Sequence, residues 1–491
     1  MHDLLIIGGG INGAGIAADA AGRGLDVVLC EKADLAWATS SSSSKLIHGG
    51  LRYLEFYEFG LVRKSLQERE LLTAAAAHII KPLAFQIPQL PHSRSSWMLR
   101  AGLFLYDNLA RRKRFSGSRA IKIDAQGPLN AAIKQGFEYW DAQVDDSRLV
   151  VLNALQAQRR GARILTRTEC TEVQPLENGW RATLHDHDTN SESEIEARVI
   201  VNASGPWVAS LSETLSKKKA RHDIQLVKGS HIVVPRMHEG NQAFMLQHHD
   251  GRVVFVMPWL DDYTLIGTTE QEHREGLDNV EISTDEIGYL LSIVNLYFKK
   301  SILHSDVIHS FAGVRPLIDE DEKTASRVSR DYQLELETQP QPILSVYGGK
   351  VTTYRVLAED VMRRLKGVLP QMGPDWTAAA NLPGGDFDLP ENLFQEFVSK
   401  HAWLGPSLIN RWLNSYGTLS FDLLGEAKGL GDLGVQFGHG LYQAEVDYLC
   451  RVEWAKSAED ILWRRSKLGI KFSKAERDSL ANYIEQIYSP A

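Results

Sequence analysis

Cysteine is scarce in this chain. Cys30, Cys170 and Cys450 stand far apart with no Cys-x-x-Cys spacing. That excludes a disulfide framework and a cysteine-built zinc site, and it fits a reducing compartment. Positive charge is not in excess either. Against 54 Lys and Arg stand 62 Asp and Glu, a formal net charge of −8, the wrong sign for a dedicated nucleic-acid binder. No apolar run approaches the roughly 18 to 20 residues that span a bilayer. No signal peptide is expected, because strand-forming residues begin at Asp3. These gaps point to a protein that folds in the cytosol, with no metal and no nucleic acid as partner.

What is present suits an ordinary folded protein, 43% hydrophobic and 24% charged. At 491 residues the chain is too long for one simple core, so two or three domains are expected. The first thirty residues carry the clearest signal. Leu4 to Ile7 form an apolar run suited to a buried parallel strand. Gly8-x-Gly10-x-x-Gly13 follows, then an Ala-rich helix over Ala14 to Ala21. A second strand, Val27 to Cys30, ends at Glu31, eighteen residues after Gly13. Strand, glycine turn, helix and an acid closing the second strand together make a dinucleotide fingerprint. The glycines let a pyrophosphate approach the helix N-terminus, and Glu31 is placed to accept hydrogen bonds from the adenosine ribose.

The next segment, TSSSSSKLIHGGLRYLE, raises the choice between NAD and FAD. A Ser/Gly linker would run on as polar sequence. Here the serines lead directly into Leu51, Leu54, Phe59, Leu61, Leu66 and Leu71, interleaved with charge in a broadly helical pattern. The run is bracketed by order on both sides and reads as cofactor-binding. Its hydroxyls and N–H groups suit a second phosphate and the ribityl chain of a flavin.

With GGGINGAGIAADAAGRGL, this stretch resembles the bacterial FAD-dependent (aerobic, respiratory) sn-glycerol-3-phosphate dehydrogenases. The resemblance continues through GFEYWDAQVDDSRLV, VNASGPWV, LVKGSHIVVP, VFVMPWLDDYTLIGTTE, GVRPL, LSVYGGKVTTYR and AEDILWRRSKLGI, essentially the whole chain. Glu270 stands where the family more often has Asp, and Ser466 where it often has Thr; neither position is assigned to chemistry. The resemblance implies an α/β plus α+β architecture: a glutathione-reductase-like FAD-binding Rossmann domain, a D-amino-acid-oxidase-like antiparallel substrate domain and a helical C-terminal cap. The FAD-binding part would be discontinuous, at 1–75, 140–215 and 310–370. The substrate and membrane-facing part would fill 76–139 and 216–309, and the cap 371–491. A Gly/Pro-rich shift around MGPDWTAAANLPGGDFDLP marks that last boundary.

The implied reaction is oxidation of glycerol 3-phosphate to dihydroxyacetone phosphate by non-covalently bound FAD, with electrons passed to ubiquinone or menaquinone. Such chemistry needs a phosphate clamp, a route for the alcohol proton and stabilisation of charge on the reduced flavin near N1/O2. Arg52, Arg315 and Arg330 are the clamp candidates, with Tyr53 as an added donor. Arg315 is expected at a strand end facing a cleft. In the segment ILSVYGGKVTTYRVLAEDVMRRLK, a strand over Ile343 to Val346, a turn at Gly348-Gly349 and a helix from Val351 repeat the strand–glycine–helix arrangement. That helix N-terminus would face the flavin, with Lys350, Val351 and Thr352 beside it and Lys350 reaching substrate as well. His48, between Ile47 and Gly49-Gly50, and His231, in the apolar strand KGSHIVVP, are both candidates for the base. Catalytic roles thus fall on His48, His231, Arg315 and Lys350.

Cofactor contacts are expected along Gly8, Gly10, Ile11, Asn12 and Gly13, and from Thr39, Ser40, Ser44, Lys45, Leu46 and His48. The return segment adds Ala203, Gly205 and Trp207, the strand Glu169 to Val173 would bring the Val173 backbone to the adenine, and Gly313 and Gly349 complete the set. Asp145 to Leu149 read as an acid-capped helix start. Last, HSRSSWMLRAGLFLYDNLARRKRFSGSR mixes Trp97, Met98, Leu103, Phe104 and Leu105 with Arg94, Arg100, Arg111, Arg112, Lys113 and Arg114. It suits an interfacial helix on anionic lipid, peripheral or monotopic at the cytoplasmic face of a bacterial inner membrane. An oxygen-using oxidase of phosphate or amine substrates, a flavin module without turnover, and a homodimer all stay open on these residues.

Overall fold

The computed structural model describes residues 1–90, 96–216, 224–248, 250–318 and 331–488. In chain order its strands begin with β1 (His2–Ile7), β2 (Val27–Cys30), β3 (Leu46–Ile47), β4 (Ile80–Pro88), β5 (Arg119–Lys122) and β6 (Gln135–Val144). Next come β7 (Arg163–Leu165), β8 (Thr168–Leu176), β9 (Gly179–Asp186), β10 (Ser191–Asn202), β11 (Ile224–Pro235) and β12 (Ala243–Gln247). Then follow β13 (Val253–Trp259), β14 (Tyr263–Gly267), β15 (Gln271–Glu272), β16 (His309–Ile318), β17 (Gln333–Glu337) and β18 (Ile343–Tyr347), and a short separate pair in the cap, β19 (Gln436–Gly438) and β20 (Leu441–Tyr442).

Two sheets organise these strands. The first runs β17-β18-β10-β1-β2-β7, parallel from β18 to β7, with the β8-β9 hairpin leaning on the front half of β10. Its central strands are apolar along their length because both faces are covered. One cover is α1 (Ile11–Gly22), lying between α4 (Asp146–Arg159) and α7 (Tyr354–Leu365). Its small side chains allow the close approach: a Cβ on Gly15 would sit 2.6 Å from the Tyr354 ring. The second sheet runs β15-β11-β14-β13-β12-β4-β6-β3, mostly antiparallel, with β16 on β11 and β5 on β6.

The two-sheet plan is the one expected, with shifted edges. Residues 310–318, expected in the FAD-binding part, lie in β16, which pairs along its whole length with β11 in the second sheet. Residues 140–144 likewise belong to β6, and Leu46–Ile47 pair with it. The helix expected from Val351 opens instead as a short 3₁₀ turn, Val351–Thr353, before α7 begins at Tyr354.

Beyond residue 376 the chain forms the helical cap, led by helices at Pro390–His401, Pro406–Tyr416 and Gln443–Val452. It shares a continuous apolar core with the first sheet. Ion pairs reinforce that contact: Arg148 with Glu453 at 2.9 Å and Arg465 with Asp34 at 2.8 Å, both buried, and Lys467 with the half-buried Asp145 at 2.8 Å. Asp145 also caps α4 by accepting from the Arg148 N–H, as its place in the sequence predicts.

Candidate active site

A cavity of about 670 Å³ opens at the C-terminal ends of β1, β2, β10 and β18 and extends to the face of the second sheet, the place where open parallel sheets bind ligands. At its dinucleotide end the glycines fit their expected task. A Cβ on Gly8 would lie 2.5 Å from the Ala203 carbonyl oxygen, and one on Gly13 only 1.9 Å from that of Gly8. Gly13 therefore closes the turn from behind, while Gly8, Gly10, Ile11 and Asn12 line the cavity. Glu31 accepts from the N–H groups of Gly9 at 2.6 Å and Ala33 at 2.9 Å, and burial raises its carboxyl above the usual range. Beyond it the wall is Thr168 to Thr171; Val173, expected there, lies deeper in β8, packed in the core and off the cavity wall. Ala203, Gly205 and Trp207 line the return segment. Trp207 stacks on Trp37 at 5.6 Å, with the Lys32 ammonium 4.5 Å from its ring centre.

The serine run forms the middle of the wall, but its hydroxyls largely fold the loop itself. Thr39 donates to the Val314 carbonyl at 2.6 Å, and Ser40 accepts from the Ile11 N–H at 3.0 Å. Ser43 donates to Asp146, and Ser44 pairs with His231 Nε2 at 2.9 Å. Lys45 does not line the cavity: its ammonium is buried against Asp146 at 2.8 Å, and burial lowers its pKa. Leu46 and Gly313 line the wall, and a Cβ on Gly313 would press within 2.8 Å of Ser42.

At the far end the opening stretch meets the 348–352 turn. The His48 N–H donates to Thr352 Oγ1 at 3.2 Å, and Asn12 donates to the Gly348 carbonyl at 3.1 Å. Gly348 and Gly349 both adopt positive φ, and a Cβ on Gly349 would reach within 2.8 Å of the Asn12 amide. Beneath His48, the Gly49 N–H donates to the Tyr106 hydroxyl at 2.8 Å, which in turn donates to Asp141 at 2.7 Å. Asp141 is held by Arg69 at 2.7 Å. The positive φ of Gly50 makes room for the Tyr53 ring, and the Lys350 ammonium lies 3.9 Å from that ring's centre. Arg52, Tyr53, Arg315 and Lys350 thus share one end of the cavity with His48, Val351 and Thr352.

Two further expectations change. Arg315 sits inside β16 opposite Val227, rather than at a strand end, and Gly229 clears the space for its guanidinium: a Cβ there would lie 2.5 Å from Nη2. His231 is off the cavity wall. It is buried behind Ser44, stacked on Phe311 at 5.0 Å, and burial next to Arg315 and Lys45 holds it well below the usual imidazole range. A ring so placed cannot meet a substrate hydroxyl. Arg330 lies outside the described residues.

Glu270 was passed over. Its carboxylate stands 3.8 Å from both Arg52 and Arg315. The sequence assigns no chemistry to this position just beyond the apolar strand β14, and only the pairing of β11 with both β14 and β16 brings it to the arginines. Thr268 and Gly229 are hidden from the sequence for the same reason, and Lys32 and Trp37 because their partner, Trp207, lies far along the chain. The glycine cradle, which side chains would fill, and the long cavity fit FAD.

A second feature is a surface. Helix α3 (Ser96–Asn108) buries Leu103 and Tyr106 while Trp97, Met98, Phe104 and Leu105 stand exposed, Trp97 by 71%. Arg100, Arg111, Lys113 and Arg114 are exposed beside them; Arg94 is outside the described residues. Among the described residues no helix is long and apolar enough to cross a membrane.

Comparison with known proteins agrees with this geometry. Residues 3–355 match the family model described as FAD dependent oxidoreductase, and 376–488 that of the C-terminal domain of alpha-glycerophosphate oxidase. The chain is 50% identical to a glycerol-3-phosphate dehydrogenase of Pseudomonas aeruginosa, over 99% of this chain and 95% of that one. It is 46% identical to a D-erythritol 1-phosphate dehydrogenase of Brucella abortus, over 98% and 97%. The solved glycerol-3-phosphate dehydrogenase of Bacillus halodurans, complexed with FAD, is similar with a TM-score of 0.75 and 26% identity, covering 99% of this chain and 94% of that one.

Proposed function

The chain belongs to the FAD-dependent glycerol-3-phosphate dehydrogenase family, and from that membership we propose that it oxidises sn-glycerol 3-phosphate to dihydroxyacetone phosphate and hands the electrons to a membrane quinone. The observation that carries the substrate is the convergence of Arg52, Arg315 and Lys350 at the end of the dinucleotide cavity. Two guanidiniums and an ammonium suit a phosphate monoester, since arginine forks match phosphate oxygens in pairs. Bound FAD supplies the two-electron acceptor for the hydride that leaves C2. It is held non-covalently by the Gly8–Gly13 turn, Glu31, Thr39 to Ser44 and the return segment.

His48 takes the C2 hydroxyl proton in this reading, with Ser44 and His231 supporting the loop from behind. Its backbone is anchored to Thr352 and its neighbour Gly49 to the Tyr106–Asp141–Arg69 chain, so the imidazole is presented from a fixed base. Lys350 and the 3₁₀ turn at Val351–Thr353 bring a positive charge and N–H groups to the place where negative charge develops. Tyr53 closes the substrate end. The protein rests on the cytoplasmic face of the inner membrane through α3, whose exposed aromatic and basic residues suit anionic lipid. Quinone lies in that bilayer.

The test is steady-state turnover of the flavin-loaded protein with a short-chain quinone. Glycerol 3-phosphate should support turnover, D-erythritol 1-phosphate far less, and glycerol not at all. Oxygen consumption with stoichiometric peroxide and no quinone reduction would make the protein an oxidase and overturn the acceptor assignment.

A further inference from the structure

The arginine pair is not empty of negative charge. Glu270 Oε2 lies 3.8 Å from Arg52 Nη1, and Glu270 Oε1 lies 3.8 Å from Arg315 Nη1. The carboxylate straddles the two guanidiniums at ion-pair distance, beyond hydrogen-bond length to either of these nitrogens. Arg315 spends Nη2 on Thr268 Oγ1 at 3.4 Å, which keeps its plane fixed. Glu270 itself is 10% exposed, whereas Arg52 and Arg315 are 23% and 29% exposed, and all three line the cavity. The arginines are thus the more exposed members of the cluster, and the glutamate sits deeper between them.

We propose that Glu270 is the built-in counter-ion of the phosphate seat, setting its charge, and hence its selectivity and grip, for a dianionic phosphate ester. This rests on the phosphate reading above. Arg52, Arg315 and Lys350 bring positive charge to this end of the cavity, and Glu270 offsets part of it at the two arginines. Without Glu270 the seat would hold any phosphate more tightly, product and inorganic phosphate included. Grip of that kind is shared by ground and transition states, so it lowers KM without speeding chemistry and slows the departure of a product that keeps the phosphate. The carboxylate also holds both guanidiniums together before substrate arrives, so two like charges need not be assembled at the moment of binding.

Inorganic phosphate is the probe, titrated into the flavin-loaded protein and followed by the change in flavin absorbance and by competition with glycerol 3-phosphate. Glu270→Gln is expected to tighten phosphate binding about tenfold, the scale of one charge a few ångströms away at a partly exposed site. KM should fall in parallel, and kcat should fall with it. Glu270→Asp, one methylene shorter and still charged, should shift phosphate affinity in the same direction by about two- to threefold, and it decides the matter if the glutamine variant does not fold. Unchanged or weaker phosphate binding in these variants would overturn the counter-ion role. If glycerol 3-phosphate fails to reduce the flavin of the unaltered protein while phosphate still binds more tightly to the glutamine variant, the substrate reading falls and the counter-ion stands.

Discussion

Gly229 and Gly313 face each other across β11 and β16, and each is small for a different neighbour. Gly313 admits Ser42 of the serine loop, and Gly229 admits the Arg315 guanidinium, on the same face of the sheet. The second contact is with the far end of a flexible side chain, so Gly229→Ala should cost little stability but displace the guanidinium. The expected outcome is a protein that keeps its flavin and its melting temperature while KM for glycerol 3-phosphate rises about tenfold, the loss of a well-placed charged hydrogen bond; steady-state kinetics beside thermal unfolding checks it. Residues whose role follows from their own local pattern were legible in the sequence. The Gly8–Gly13 turn, Glu31, Arg52, Arg315 and Lys350 all belong to strand–turn–helix signatures or unusual arginine settings, and all but Gly9 and Gly13 reach the cavity. Glu270 and Gly229 were not legible, because their meaning comes from partners dozens of residues away. His231 was misread for the opposite reason: a histidine in an apolar strand was credited with chemistry, and burial made it a support for Ser44.

At the scale of elements, the serine loop is a folded clasp. Lys45 reaches back to the Ser41 carbonyl and across to Asp146 at the start of α4, with Lys45 and Asp146 side chains 3% and 0% exposed. Breaking a buried pair strands the remaining charge, at a cost of about 3–5 kcal/mol. Asp146→Ala should therefore lower the melting temperature and release flavin, read as a falling flavin-to-protein ratio after gel filtration. Helix α3 is separable from that machinery on its outer face. Replacing Trp97, Phe104 and Leu105 by Ser should cut cosedimentation with anionic lipid vesicles at least tenfold while turnover with a soluble dye stays the same. Strands and helices were readable from apolar runs and periodicity, as β1, α1, β2 and β18 attest. Sheet membership was not. The run at His309–Ile318 looks the same in either sheet, and only its register with β11 assigns it.

For the whole molecule, the decisive contact is the cap against the body. His78 is buried against Phe387 and Gly417, and His309 stacks on Trp463 at 4.2 Å. Burial lowers His78 from 6.5 to about 3 and His309 from 6.5 to about 4. An unfolded chain would bind protons at these rings from about pH 6.5 downward, and the folded protein would not. Stability is thus unaffected above pH 6.5 and falls as the pH drops below it, by about 2 kcal/mol per histidine at pH 5. Urea unfolding at pH 7 and pH 5 measures the loss, and His78→Asn should remove part of the difference.

The central claim is that this cavity brings a phosphorylated alcohol and a flavin together for hydride transfer. An anaerobic visible spectrum of the flavin-loaded protein, taken before and after adding glycerol 3-phosphate, tests it most directly. The yellow absorbance should bleach with glycerol 3-phosphate and persist with glycerol or an amino acid. A flavin that stays oxidised with glycerol 3-phosphate, or that is bleached by an amino acid instead, would contradict it.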